Sequence, residues 1–377
     1  MRDTLKNVAL LLVSVIVCTL AAEGFLRTLA PQRVPRFPRG LFLADPALVY
    51  RLTPGFRGVA STGEYRTSLR IDRLGLREDR DYGSKPARTQ RILALGDSFT
   101  MGVGVESTEA FPKVLERLLS TTEGGGSVEV LNAGVPGYNT RQERTYLERE
   151  GLALQPDLVL LNVFVGNDIH DNLHEERVRV VDGLLVDDSD APGGLLPQGL
   201  RIALSRSHLY QLLWPLQRRL RDATYRETEK QRLANYLAIY ARKPGAHVEA
   251  MWQATWKEIA RTRDVVAEHG SRLAVVVIPE LRQVDPTTWE NATDYQRDEP
   301  NRRIVEYCRR EGIPALDLLP PFLMAGQPRR VYFRIDNHWT VAGNLVAASA
   351  LQQFLTSFGL APGTSPRIVA TGTGGWR

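Results

Sequence analysis

From Arg91 onward, short apolar runs alternate with stretches in which apolar residues recur three and four positions apart. The runs Ile92–Leu95, Val128–Leu131, Leu158–Val165, Leu273–Ile278 and Ile313–Leu316 predict five strands. Leu158–Val165 and Leu273–Ile278 are apolar almost throughout, as strands covered on both faces must be. Between the first two runs, Phe111, Val114, Leu115, Leu118 and Leu119 sit at helical spacing. Pro112 falls in the first turn of that helix, where its missing N–H costs nothing. Thr140–Glu150, Arg302–Arg310 (closed by Gly312) and Val341–Phe358 read as further helices. Such alternation predicts an α/β fold: a doubly wound, parallel, five-stranded sheet with helices on both faces.

The remaining segments break this rhythm. Val8–Ala22 is an unbroken apolar run preceded by Arg2 and Lys6. Extended through Gly24, Phe25 and Leu26 it reaches spanning length, so residues 1–30 are expected to form an uncleaved signal anchor. Cleavage after Ala21 would put Thr19 at the minus-three position, and Val17 spoils a lipoprotein site at Cys18. The body is then expected outside the cytoplasm, on the periplasmic or cell-surface side. Arg27, Arg33, Arg36 and Arg39 run against that orientation, because the positive-inside rule favours them in the cytoplasm. Residues 31–90 are rich in Arg, Pro and Gly, with alternating pieces at 49–52 and 68–71, and are expected to pack on the core as short strands and turns. The catalytic-sized unit is residues 91–360. Within it, residues 175–270 form an insertion, loop-like at first and then helical. Tyr210, Trp214, Tyr236, Tyr240, Trp252 and Trp256 give two equal readings of it, a packed lid or a substrate-groove wall. Residues 361–377 read as a disordered tail.

Composition narrows the function. Hydrophobic content of 43% and charged content of 24% fit a folded core. The net charge of +5 is spread along the chain, with no basic block interleaved with aromatics, so nucleic acid is not an expected partner. Two cysteines, Cys18 and Cys308, exclude a disulfide framework.

Acyl transfer needs a hydroxyl nucleophile, a base, a group that orients the base, and donors for the oxyanion. Candidates for each stand at the ends of predicted strands, where a doubly wound sheet forms its site. Ser98 lies in Gly96-Asp97-Ser98-Phe99-Thr100, between a strand and a helix; alone it is an ordinary loop serine. Gly102 and Gly104 give only a GxG pair, too little for a dinucleotide or phosphate loop. The second strand runs into Asn132-Ala133-Gly134-Val135-Pro136-Gly137-Tyr138, a tight loop with exposed backbone N–H groups. The third runs into Gly166-Asn167-Asp168, which can aim an amide at the same crevice. Asp336-Asn337-His338-Trp339 precedes the last helix, and a carboxylate can hold a nearby His in one tautomer. His170 and His174 are spaced for a metal on a helix, but without a zincin glutamate a solvated loop is the better reading.

These four motifs, in this order, resemble the SGNH superfamily, also called GDSL hydrolases, over roughly Arg91 to Phe358. The resemblance implies a flavodoxin-like three-layer fold and a serine esterase. It implies Ser98 as nucleophile, His338 as base and Asp336 as its partner. It further implies Gly137, with Gly134 as fallback, Asn167 and the Ser98 N–H as oxyanion donors. No metal or organic cofactor is called for. Many members space the last pair Asp-x-x-His; here it is Asp336-x-His338, which leaves the orienting role open to another carboxylate. The Asp-x-His-Trp form is similar to proteins that O-acetylate or deacetylate exopolysaccharides. An acylated small molecule or polysaccharide is therefore the expected substrate, with envelope polysaccharide machinery as a possible partner. The alternatives are an O-acetyltransferase with the same site and a catalytically idle glycan-binding scaffold.

Overall fold

The structure, a computed structural model, describes residues 2–120, 127–173, 178–187, 198–221, 231, 233–289 and 293–364. Arg2–Leu29 forms one helix (α1), exposed from Arg2 through Ala21. Among the described residues it is the only helix long and apolar enough to cross a membrane. A signal sequence has the same character. Two antiparallel hairpins follow: Phe42–Asp45 (β1) with Val49–Leu52 (β2), and Arg57–Ser61 (β3) with Arg66–Arg70 (β4). Phe42, Tyr50, Leu52, Ala60 and Leu69 turn inward and are buried against the main body.

The main sheet consists of Thr89–Gly96 (β5), Ser127–Gly134 (β6), Leu158–Phe164 (β7) and, beyond a small hairpin of Val178–Val181 (β8) and Leu184–Asp187 (β9), Arg272–Ile278 (β10) and Ala315–Asp317 (β11). Its order is β11-β10-β7-β5-β6 and every pairing is parallel. Counted along the chain this is the 2-1-3-4-5 flavodoxin-like order, with its switch point between β5 and β7. Ser98–Met101 (α2), Phe111–Ser120 (α3), Thr140–Tyr146 (α4) and Asp168–Asp171 (α5) follow the first three strands. His208–Arg221 (α6) and Ala246–Glu268 (α7) precede β10; Glu299–Arg310 (α8) and Val341–Ser357 (α9) flank β11.

Strand periodicity divides the core in two. Leu93, Leu95, Leu131, Val159, Leu161 and Val275 face one side, where Met251, Trp252 and Ile259 of α7 and Ile304 of α8 cover them. Ile92, Ala94, Val130, Leu158, Leu160 and Val276 face the other, covered by Leu115 of α3 and Leu351 of α9. This disposition decides the character of three of the six insertion aromatics. Trp252 and Tyr240 are fully buried, and Trp256 stacks on Tyr307 at 4.4 Å. These three pack inward with the sheet's own crossover, as the packed reading has it, rather than lining a groove.

Several local expectations need correction. The early insertion, expected as loop, contains β8 and β9. Their link is Asp182-Gly183, with φ of +52° and +71°, the left-handed pair a two-residue hairpin turn demands. Residues 188–197 of that expected loop lie outside the described residues. The last strand begins at Ala315 rather than Ile313, because Pro314 has no N–H for the ladder. The helix expected to continue to Glu150 widens into a π turn at Leu147–Gly151. The tail does not begin at 361, since Ala361 is buried and donates its N–H to Leu355 O. Residues 365–377 lie outside the described residues.

The end of α1 is bonded to the body. The Glu23 carboxylate accepts the N–H groups of His208 and Leu209 at 3.0 and 2.9 Å and the Ser207 hydroxyl at 2.9 Å, capping α6. The Gln32 N–H donates to His208 Nδ1 at 2.8 Å.

Where β5 and β6 end side by side, Gly96 opposes Gly134. A Cβ on Gly134 would run into the backbone nitrogen of Met101. Gly134→Ala is expected to cost about 2–4 kcal/mol, because backbone cannot step aside as a side chain can. Thermal melting should fall by roughly 5–10 °C; an unchanged melt would show that the strand ends have room to spread.

Candidate active site

At the end of β5 a side chain on Gly96 would collide with that of Thr100, so only glycine lets the chain turn at once into α2. Asp97 caps that turn, its carboxylate accepting the Phe99 N–H at 2.9 Å. Ser98 is thereby set half-buried at the first position of the turn, facing the C-terminal edge of the sheet.

The structure brings Ser98, His338 and Asp336 together. Ser98 Oγ lies 2.8 Å from His338 Nε2, and His338 Nδ1 lies 2.5 Å from Asp336 Oδ1. The short Asp-x-His spacing works because Asn337 between them takes φ +66°, a left-handed conformation that Asn tolerates. That turn aims the side chains of Asp336 and His338 at one another. Asp336 is thus the carboxylate that meets Nδ1. His338 lies against the Phe99 ring at 4.9 Å, and Trp339 packs edge-on behind Phe99 at 5.0 Å. Trp339 is itself buried and stacked near Phe322 at 4.8 Å, so it supports the histidine from within the core.

The electrostatics suit a neutral base. Burial depresses the His338 pKa; the hydrogen bond to Asp336 opposes this, and the Arg36 charge adds to the depression. Burial alone would raise Asp336, but its bond with His338, the neighbouring charges and Tyr65 hold it well below the usual carboxylate range. The pair is therefore imidazole and carboxylate near neutral pH. With Nδ1–H directed at Asp336, the Nε2 lone pair faces Ser98.

Gly137 and Asn167 stand on adjoining loops. Gly137 is exposed at φ +80°, and its N–H donates to no acceptor among the described residues. The Gly134 N–H is taken by Asn132 Oδ1 at 3.1 Å. One Asn167 amide hydrogen goes to Tyr138 O at 3.1 Å, tying its loop to the one that carries Gly137. His170 stacks on Tyr236 at 5.4 Å with an interplanar angle of 7°. His174 lies outside the described residues.

Sequence reasoning missed two groups. Behind the site Asp97, Glu143 and Asp168 are buried. Burial raises all three pKa values, and the charge of Asp97 raises Glu143 and Asp168 further. The second group comes from residues 31–90. Arg36 and the Tyr65 hydroxyl both donate to the Asp336 carboxylate, and Glu64 accepts three backbone N–H groups of its loop. Isolated Arg, Glu and Tyr residues in such a stretch carry no spacing signal.

Taken together, the arrangement offers a hydroxyl, an imidazole poised to take its proton and a carboxylate fixing the imidazole. Residues 240–376 match a family model described as the SGNH hydrolase-like domain of the acetyltransferase AlgX. That stretch holds Asp336 and His338, and Ser98 reaches them from outside it. Over that stretch the chain resembles the SGNH superfamily. The chain is 29% identical over 133 residues to the "Probable alginate O-acetylase AlgJ" of Pseudomonas putida, covering 35% of this chain and 34% of that protein. It is 31% identical over 94 residues to the protein of the same name from Pseudomonas syringae pv. tomato, covering 25% and 24%. The chain thus spans about a third or less of the length of these curated relatives. Loose overlaps with solved structures include a catalytic mutant of the acetylxylan esterase Axe2 from Geobacillus stearothermophilus, at 11% identity and TM-score 0.41, covering 76% of this chain and 98% of that one. A lipase/acylhydrolase from Enterococcus faecalis gives 13% and 0.40, covering 71% and 95%.

Proposed function

We propose that this chain is an SGNH-type serine acyl-transfer enzyme acting on O-acyl esters of an envelope or exported polysaccharide. Residues 1–30 are its membrane anchor and residues 91–360 its catalytic domain, on the extracytoplasmic side. The observation that carries the reading is the continuous hydrogen-bonded line from Ser98 Oγ through His338 to Asp336.

In the proposed reaction His338 Nε2 takes the Ser98 proton as Oγ attacks the ester carbonyl. The oxyanion is received by the N–H groups of Ser98 and Gly137 and the second amide hydrogen of Asn167. Collapse expels the alkoxide, which takes the proton from His338, and leaves the acyl group on Ser98. Water, deprotonated by the same imidazole, then attacks the acyl-enzyme; the acid leaves and Ser98 regains its proton. Hydrolysis is the first reading. The names of the two curated relatives favour a second, in which a glycan hydroxyl replaces water and the acyl group is moved onto the polymer.

The test is covalent and then quantitative. A fluorophosphonate should label Ser98, and mass spectrometry of the peptide should place the adduct there. An unlabelled, folded chain would favour an idle glycan-binding scaffold. With p-nitrophenyl acetate as donor, acetate release alone supports hydrolysis. O-acetyl groups appearing on a supplied polysaccharide support transfer.

A further inference from the structure

We propose that Arg36 and Tyr65 are positioning residues of this reaction, holding Asp336 as the charged and correctly aimed partner of His338. The proposal rests on the serine-transfer reading above. Both residues lie between α1 and β5, outside the sheet that carries the rest of the site.

The geometry converges on one carboxylate. Asp336 Oδ1 accepts from Arg36 Nη1 as well as from His338, and Oδ2 accepts from the Tyr65 hydroxyl. The Asp336 side chain is only 7% exposed, so these donors replace its solvation shell. The backbone beneath is fixed from the same segment. Glu64 accepts the N–H groups of Arg334, Ile335 and Asp336 at 2.7, 2.8 and 2.8 Å, while Arg33 Nε donates to Ile335 O at 2.9 Å. Asp336 lies in a turn just before the left-handed Asn337 rather than on a strand or helix, so no element of the sheet fixes its direction. The segment after α1 does so instead. It braces the other site loops too. Buried Arg77 donates to Met101 O and Val105 O behind Ser98, and Tyr50 donates to Pro136 O beside Gly137.

Arg36 has a second effect. Its Nη1 lies 2.8 Å from His338 Nδ1, so a fixed cation sits beside any imidazolium. The polar groups around the ring are Asp336, Arg36 and Ser98, with Tyr65 and Glu64 one bond further out; Phe99 and Trp339 are apolar. Removing Arg36 leaves Asp336 as the only charge against the ring, which favours protonation. The base would then be lost at a higher pH.

The experiment uses the full chain with Arg36→Met, Arg36→Lys and Tyr65→Phe. The pH dependence of p-nitrophenyl acetate turnover and of fluorophosphonate labelling of Ser98 are both read. Arg36→Met should move the acidic limb up by about one pH unit, whereas Arg36→Lys should keep it near wild type. Tyr65→Phe should lower kcat by about tenfold with KM unchanged. A folded Arg36→Met with an unmoved limb, or Tyr65→Phe with unchanged kcat, overturns the proposal. Should Arg36→Met not fold, Tyr65→Phe decides alone, since it removes one oxygen and no packing. Labelling that persists in Ser98→Ala would count against the parent reading whatever the Arg36 variants do.

Discussion

Ser98→Ala is expected to lower ester turnover by at least about 10³-fold, or about 4 kcal/mol of transition-state stabilisation, with the melting temperature unchanged. The substitution removes one oxygen whose bond to His338 is the first link of the line to Asp336. Ser98 is half-exposed at the start of α2, and alanine suits that position, so stability has little reason to change. The loss should appear in kcat and kcat/KM together, because the oxygen forms its new bond only in the transition state. Residual activity near wild type would mean that another hydroxyl or a bound water does the attacking.

Asp336→Asn should be nearly as damaging, by about 10³–10⁴-fold, although it changes only one atom of the side chain. The amide can present its NH2 to Nδ1. That would draw the ring into the tautomer with the proton on Nε2, which cannot accept from Ser98. High pH cannot repair a wrong tautomer, so raising the pH should not restore the rate. The variant should also lose stability. Arg36 keeps its charge but no longer faces a carboxylate, and a part-buried cation without its counter-charge is costly. The sign with pH follows from the depressed carboxyl. Asp336 contributes stability above its ordinary value of 3.8 and loses it as the pH falls below that toward its folded-state value. The wild-type stability advantage over Asp336→Asn should therefore shrink in acid. An advantage that is constant from neutral to acidic pH would contradict the ion-paired picture.

The strand–helix alternation of residues 91–360 was legible because it is local: a buried parallel strand must be apolar on both faces, whatever its partners are. The meeting of Ser98 with His338 was legible because strand ends are where this architecture gathers polar side chains, and four short motifs in order are hard to produce by accident. The meeting of Asp336 with His338 was only half legible. Residue spacing does not announce that Asn337 turns left-handed, and the whole question of the orienting carboxylate hung on that one dihedral angle. Arg36, Glu64 and Tyr65 were not legible. They approach their targets across about 270–300 residues of chain from a stretch whose Arg, Pro and Gly content reads as connecting loop. The β8–β9 hairpin was missed for a different reason: Asp182-Gly183 between two apolar runs is a usable signal, and the acidic, glycine-rich stretch after it drew the reading toward loop.

If α1 is the membrane anchor proposed above, the cap that Glu23 places on α6 bears on how far the proposed active site can reach. A catalytic body on a flexible twenty-residue leash would wander over roughly 25 Å and meet polymer throughout that radius. Here the apolar helix and the body share a hydrogen-bonded joint with no slack at Glu23. A bilayer that grips α1 consequently dictates the stand-off and tilt of Ser98 as well. On the proposed reading, a polysaccharide would then be acted on only where it is threaded past at that one altitude, in the way a fixed nozzle treats whatever is drawn beneath it.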